Sequence, residues 1–337
     1  MLQPKKICVI HLNQIGDLVF SLPLLKTLRE NYPEAQIHSI IRPYLTELFA
    51  FIPYVDKVIP RKSGFINSLK LLGEIRSNCY DLLVSLSDSS GCMLLTAFSK
   101  AGYKAGFASF PWDLALDIRE KIEGHHSWRN NLKIIKQLEL KIEKEDYVGL
   151  LKLPPKDLKD IAGFTISGKY AVISPGTSAR RTVKAWEDDK FAELIIALKE
   201  KHNLNPVLVG GKDNIEANER IIRLVKEKGG DKVNQIIDIT GKVSLNDLCY
   251  VLQNTSLFVG VDSGLMHLAS ALDKPLVGLF GPTDTHYVGP LNAKSRIVQH
   301  KEIECVPCYL KGCKERQCMT RIEVKEVLEQ CEQVLKL

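Results

Sequence analysis

No stretch of this sequence reaches the roughly 18 consecutive apolar residues that a helix needs to cross a bilayer, so no membrane-spanning helix is expected. No cleavable leader is expected either. The opening MLQPKKICVIHLNQIGD places two lysines before only a short apolar run and shows no small-residue cleavage site, so it reads as a first strand. No GxGxxG follows that strand, which disfavours a dehydrogenase. No GKS or GKT ending marks a P-loop NTPase, and no GxSxG elbow marks a serine hydrolase. A large excess of one charge is also lacking: 46 Lys and Arg face 40 Asp and Glu, a formal +6. That is weak grounds for nucleic-acid binding and fits acidic or phosphorylated partners at a membrane surface. Charged residues make up 26% and hydrophobic residues 45%, which excludes a disordered chain, a collagen and a coiled coil.

What is present is a chain of 337 residues, long enough for about two domains, each with its own core. Nine cysteines are unevenly spread. Five sit in or beside apolar runs and read as buried free thiols of a reducing compartment. The other four, Cys305, Cys308, Cys313 and Cys318, fall within 14 residues.

Short β-branched runs alternate with amphipathic segments. The strands read as Ile7 to Leu12, Ile37 to Ile41, Val55 to Ile59 and Leu82 to Ser85. Helices read over Val19 to Asn31, with Pro23 in the first turn, and over Thr46 to Phe51, Ile66 to Ser77 and Gly91 to Ala101. The pattern weakens from Gly102 to Asp113 and resumes in a helix near Arg129 to Leu140. A Lys-rich stretch from Glu143 to Lys169, carrying Pro154, Pro155, Gly163 and Gly168, reads as the domain connection. The rhythm then restarts, with strands at Tyr170 to Ser174, Asn205 to Val209, Ile236 to Asp238, Leu257 to Val261 and Leu276 to Phe280. This alternation implies parallel sheets with crossover helices, in an α/β chain of two Rossmann-like domains facing each other across a cleft.

Several strand ends carry candidate chemistry, at the place where open α/β sheets hold ligands. After the first strand come Asn13, Gln14, Ile15, Gly16 and Asp17. Gly16 allows close backbone approach, and Asp17 reads either as a general base or as a helix N-cap. The loop from Ser174 to Trp186 carries Thr177, Ser178 and Lys184, suited to phosphate oxygens. Asp262, Ser263 and Gly264 join a buried strand to a helix whose free N–H groups suit a diphosphate, with His267 one turn in. Gly210-Gly211-Lys212-Asp213, with Glu216 beyond, suits a base or ribose, and Phe280-Gly281-Pro282-Thr283-Asp284 ends the last clear strand. So many strand ends in one half point to a single ligand site.

Three runs, IGDLVFSLPLLKTLRENYP, ISPGTSARRTVKAWE and GVDSGLMHLASALDKPLVGLFGPTD, lie in this order along nearly the whole chain. In sequence and spacing they resemble glycosyltransferase family 9, the ADP-heptose:lipopolysaccharide heptosyltransferases. The resemblance implies a GT-B fold. It gives residues 1–165 an acceptor-binding role and residues 166–318 a nucleotide-sugar-binding role, with 319–337 forming a helix that returns to the first domain. It implies an inverting transfer of a heptose or related sugar from an ADP-sugar to a lipid-linked or oligosaccharide acceptor, with no cofactor required for catalysis. Asp17 becomes the expected catalytic base. Thr177, Ser178, Lys184, Asp262, Ser263, Gly264 and His267 become donor-binding residues, with Glu216 a looser match.

Asn13, Gly16, Arg61 and Lys62 are candidates on the acceptor side, Arg61 and Lys62 as basic partners of a phosphorylated core. The cysteine quartet, spaced C-x2-C-x4-C-x4-C, is a candidate structural zinc site lacking the usual second knuckle. Cytoplasmic residence with peripheral contact at the inner membrane face is expected. The competing readings are a family 9 transferase with another sugar nucleotide, a sugar-nucleotide 2-epimerase on the same scaffold, and a sugar-nucleotide-binding protein without turnover.

Overall fold

β1 (Lys6–Ile10) shows no polar alternation, and its Ile7, Cys8, Val9 and Ile10 are wholly buried in the computed structural model. A strand hidden on both faces belongs in the middle of a parallel sheet. The structure describes residues 2–336 apart from 157–160, 162, 167, 178–181, 230–232, 234 and 311. Ser178, expected at the donor, therefore lies outside the described residues.

Two compact units divide the chain, Met1–Lys152 and Leu153–Leu337. The division falls inside the expected 143–169 connection but ahead of the 165/166 boundary. In the first unit β1 is followed by β2 (Gln36–Ile41), β3 (Lys57–Pro60), β4 (Leu82–Ser85), β5 (Tyr103–Phe107) and β6 (Ile118–Glu120), in the sheet order β3-β2-β1-β4-β5-β6. Its helices are α1 (Ile15–Asn31), α2 (Phe65–Asn78), α3 (Ser90–Ala97) and α4 (Trp128–Gln137). The second unit holds β7 (Tyr170–Ser174), β8 (Asn205–Leu208), β9 (Ile237–Asp238), β10 (Leu257–Val261), β11 (Leu276–Leu279) and β12 (Ser295–Val298), ordered β12-β11-β10-β7-β8-β9. Its helices are α5 (Asp188–His202), α6 (Ile215–Gly229), α7 (Leu245–Asn254), α8 (Gly264–Ala271), the single turns α9 (Thr285–Val288) and α10 (Gln317–Thr320), and α11 (Val324–Val334). Every strand pairing is parallel. Counted from each unit's own first strand, both sheets run 3-2-1-4-5-6, the doubly wound nucleotide-binding order.

The central strands pack at glycine-limited distances. A Cβ on Gly260 of β10 would stand 2.7 Å from the Ser174 carbonyl of β7, closer than such atoms approach. The core of the second unit gathers Phe191, Leu194 and Leu198 of α5 with Val259 of β10 and Val277 of β11.

Three expectations are corrected. First, α1 begins at Ile15 rather than Val19, so Pro23 lies in the helix interior. There it has no N–H to offer the preceding turn. Second, the weak stretch from Gly102 to Asp113 holds β5, β6 follows it, and β12 follows the strand read as the last clear one. β6 and β12 are short and partly exposed edge strands, where burial imposes no apolar run. Third, Cys8, Cys92, Cys249 and Cys331 are buried as expected, but Cys79 is exposed. It closes α2 in a left-handed conformation with φ 50°.

The terminal helix packs within the second unit. Val327, Cys331 and Val334 of α11 join the second unit's core, because that amphipathic face finds its apolar partners on α5 and the β10–β12 edge. Among the described residues no helix is long and apolar enough to cross a membrane.

Candidate active site

The strand order reverses between β1 and β4 in the first sheet and between β7 and β10 in the second. At such switch points the flanking loops diverge and leave a crevice beyond the carboxyl ends of the strands. Asn13, Gly16 and Asp17 follow β1, Thr177 and Lys184 follow β7, and Asp262, Ser263, Gly264 and His267 follow β10, so these lie at the two places.

In the first unit the loop after β1 runs into α1. Gln14 is the N-cap and Asp17 the third helical residue, and the two form a capping box in which the Gln14 N–H donates to Asp17 Oδ2 at 3.3 Å. Asp17 is thus in the first turn of α1, neither N-cap nor loop residue, and the helix N-terminus favours its charge. Its carboxylate is half-buried. Burial first, and then the Asp17 charge, holds the Tyr44 phenol above its ordinary pKa against the opposing pull of Arg42.

Tyr44 donates to the Asn13 carbonyl, and the Arg61 guanidinium donates to Asn13 Oδ1. Asn13, Gly16, Asp17 and Arg61 are therefore brought together, whereas Lys62 points into solvent as an exposed residue. His11 is wholly buried behind them. Its Nε2 lies 3.0 Å from Ser39 Oγ, and its ring meets Phe49 edge-on. Burial pushes its pKa down to about 3, so the imidazole is neutral at pH 7.

In the second unit a charged cluster sits at the switch point. Lys184, on the single 3-10 turn Thr182–Lys184, forms an ion pair with Asp262 just past β10. Both side chains are buried. Thr283 Oγ1 donates to the same Asp262 oxygen at 2.7 Å, and His267 Nε2 stands 3.9 Å from the other. Burial opposes the Asp262 charge, but Lys184, His267 and Thr283 outweigh it and hold the carboxyl below its usual range.

His267 moves the other way. Burial brings its pKa down to about 4, despite the pull of Asp262, so it presents a neutral ring. Ser263 is the N-cap of α8 without using its hydroxyl as a cap, and Gly264 is the first helical residue. The Ser263 hydroxyl is buried and has no hydrogen-bond partner among the described residues. A cation, a neutral imidazole, a hydroxyl and the free N–H groups of a helix start thus stand side by side, a set that suits an anionic oxygen ligand. Glu216 is exposed in the first turn of α6 and does not join this cluster.

A family model described as Glycosyltransferase family 9 (heptosyltransferase) matches residues 68–319. The chain belongs to glycosyltransferase family 9. It is 27% identical over 288 residues to lipopolysaccharide heptosyltransferase 3 of Escherichia coli K12, covering 80% of each chain. It is 26% identical over 332 residues to lipooligosaccharide heptosyltransferase 2 of Campylobacter jejuni, covering 97% of this chain and 98% of that one. The solved structure of E. coli ADP-heptose lps heptosyltransferase II superposes with a TM-score of 0.77 at 22% identity, covering 98% of both chains. The family 9 chain is thus a glycosyltransferase with the GT-B pair of Rossmann-like units.

Two residues of this transferase escaped the sequence reading. Asn214 clasps two loops: its Nδ2 donates to the Thr177 carbonyl at 3.0 Å and its Oδ1 accepts from Gly211 N–H at 3.0 Å. Gly176 and Gly210 leave room for it, since a Cβ on Gly176 would fall 2.2 Å from the Asn214 carboxamide carbon. Those two glycines next to strand ends were the available signal. Gln299 holds the segment carrying Thr283, donating to the carbonyls of Gly281 and Thr283 at 3.0 and 2.8 Å. Nothing in the local sequence marks it.

Proposed function

We propose that this transferase moves a heptose, with inversion, from ADP-heptose to a lipopolysaccharide-core acceptor. The carrying observation is the buried Lys184–Asp262–Thr283 cluster with His267 at the start of α8. It is a preformed site for the diphosphate, and the heptosyltransferase names of the relatives support the sugar.

In this reading Asp17 takes the proton of the acceptor hydroxyl as its oxygen bonds to the anomeric carbon of the donor. The bond from that carbon to the diphosphate oxygen breaks, and its electron pair leaves with ADP. Lys184, the Ser263 hydroxyl, the Thr177 loop and the α8 N–H groups meet the growing negative charge, and His267 donates without adding charge. Asn13, Gly16 and Arg61 line the acceptor side beside Asp17.

The enzyme works in the cytoplasm, touching the inner membrane face through Phe65, Ile66 and Leu69. These are exposed at the start of α2, just past Lys62. Co-sedimentation with anionic vesicles that a Phe65→Ser/Ile66→Ser variant does not lose would remove that contact from the proposal.

Calorimetry with a panel of nucleotide sugars tests the donor. ADP-heptose is expected to bind tightest, and a preference for a UDP- or GDP-sugar would overturn it. Transfer to heptose-deficient core tests the acceptor.

A further inference from the structure

The four clustered cysteines line one pocket of the second unit, with Val183 and Pro282 in its wall. Cys318 at α10 is buried, Cys308 is half-buried, and Cys305 and Cys313 are exposed; none is in a disulfide. The Arg316 N–H is directed at Cys313 Sγ at 3.5 Å. Four sulfurs around one pocket are the donor set of a closed, tetrahedral thiolate site. Packing does not account for the cluster, because two of its members face solvent.

We propose that Cys305, Cys308, Cys313 and Cys318 bind one thiophilic divalent cation of the zinc type, and that the ion fixes a strut behind Lys184. Among the described residues the sulfurs are not gathered to ligating distance. Binding therefore draws the exposed Cys305 and Cys313 in over Cys318. Each ligating thiol gives its proton to water, and nothing is oxidised.

The strut reaches both sides of the buried ion pair. Arg316 Nη1 donates to the Ala185 carbonyl at 2.8 Å, and Arg316 Nη2 lies 3.7 Å from Glu187. These contacts hold the residues next to Lys184. The N–H groups of Cys308 and Tyr309 donate to the Pro282 carbonyl at 3.1 and 3.0 Å. The Tyr309 hydroxyl accepts from Asp284 N–H at 3.1 Å. Those contacts flank Thr283, which donates to Asp262. The metal site stands independently of the proposed donor role, and only the consequence for donor binding rests on that role.

The test strips the full chain with a chelator, reloads it with zinc alone and desalts it. About one zinc per chain is expected by elemental analysis, with the exposed Cys305 and Cys313 closed to Ellman's reagent that reaches them in the stripped chain. Cys308→Ser and Cys313→Ser each weaken zinc binding by at least about 10-fold, while Cys79→Ser, exposed but outside the quartet, leaves it unchanged. If the serine variants do not fold, thiol protection in the unsubstituted chain decides. Zinc lost on desalting, thiols equally reactive with and without zinc, or a disulfide within the quartet by mass spectrometry would overturn the site. Calorimetry with ADP separates the second half: weaker binding by the stripped chain supports the strut, and equal binding overturns it. Absence of ADP binding in both forms counts against the donor reading and leaves the metal result standing.

Discussion

Lys184 and Asp262 neutralise each other inside the second unit, with Thr283 completing the carboxylate's hydrogen bonds. Two charges buried together are tolerated only as a pair, and removing one strands the other. Lys184→Met is therefore expected to destabilise the second unit by about 3–5 kcal/mol in urea unfolding. Lys184→Met/Asp262→Asn should recover most of that loss, because Thr283 still finds an acceptor. Donor affinity should stay at least about 10-fold down in both, since the charge proposed to meet the phosphates is gone. Full recovery of binding in the double variant would show that Lys184 only balances Asp262.

The capping role of Asp17 and its proposed role as base can be separated. Asn at this position still accepts the Gln14 N–H and so keeps the capping box, but it cannot take a proton. Asp17→Asn should leave the thermal midpoint nearly unchanged and lower turnover by roughly 10²–10⁴-fold with donor binding intact. Asp17→Ala should lose the activity and about 1 kcal/mol of stability besides. Turnover retained in Asp17→Asn would remove the general-base role.

Acid should weaken the fold through two histidines. His267 titrates near pH 4 and His11 near pH 3 when folded, against an ordinary value of 6.5. As pH falls below 6.5 the unfolded chain takes up protons that the native chain refuses, so stability drops through that window. Asp262, held below its usual range, adds a loss in the same direction at still lower pH. The part due to His267 is on the order of 3 kcal/mol by pH 4. His267→Gln should flatten the pH dependence of the urea midpoint between pH 6.5 and 4, and an unchanged slope would refute this origin.

Asn214 is a positioning residue for the Thr177 loop. Asn214→Ala removes both clasps, and Gly176→Ala displaces the same side chain by collision. Both are expected to raise the donor KM several-fold, while the kcat at saturating donor changes little. A fall in kcat with KM unchanged would place Asn214 nearer the reacting atoms than the geometry does.

Much of this was legible in the sequence because the central strands are buried on both faces. Tyr170 to Ser174 and Leu257 to Val261 read directly as strands, since a continuous apolar run has few other uses. The strand-end motifs located Asp17, Lys184, Asp262 and His267 for the same reason: ligand loops follow buried strands. The edges were not legible. β6 carries Ile118, Arg119 and Glu120, a pattern that solvent allows and sequence does not distinguish from loop. Asn214 and Gln299 were hidden for a different reason. Each acts through carbonyls of distant segments, and a backbone acceptor leaves no trace in residue type.

The placement of α11 on the second sheet separates the two units in time. Every residue of the first unit's sheet and core precedes Lys152, so that half can complete itself while the remainder is still being synthesised. The second unit cannot. Val327, Cys331 and Val334 seal a core begun at Tyr170, so its apolar surface stays open until more than 160 further residues have been made, from Tyr170 to Val334. The half built around Lys184 and Asp262 is therefore the one most in need of a chaperone on the ribosome, and the one that a truncated message would leave unfinished.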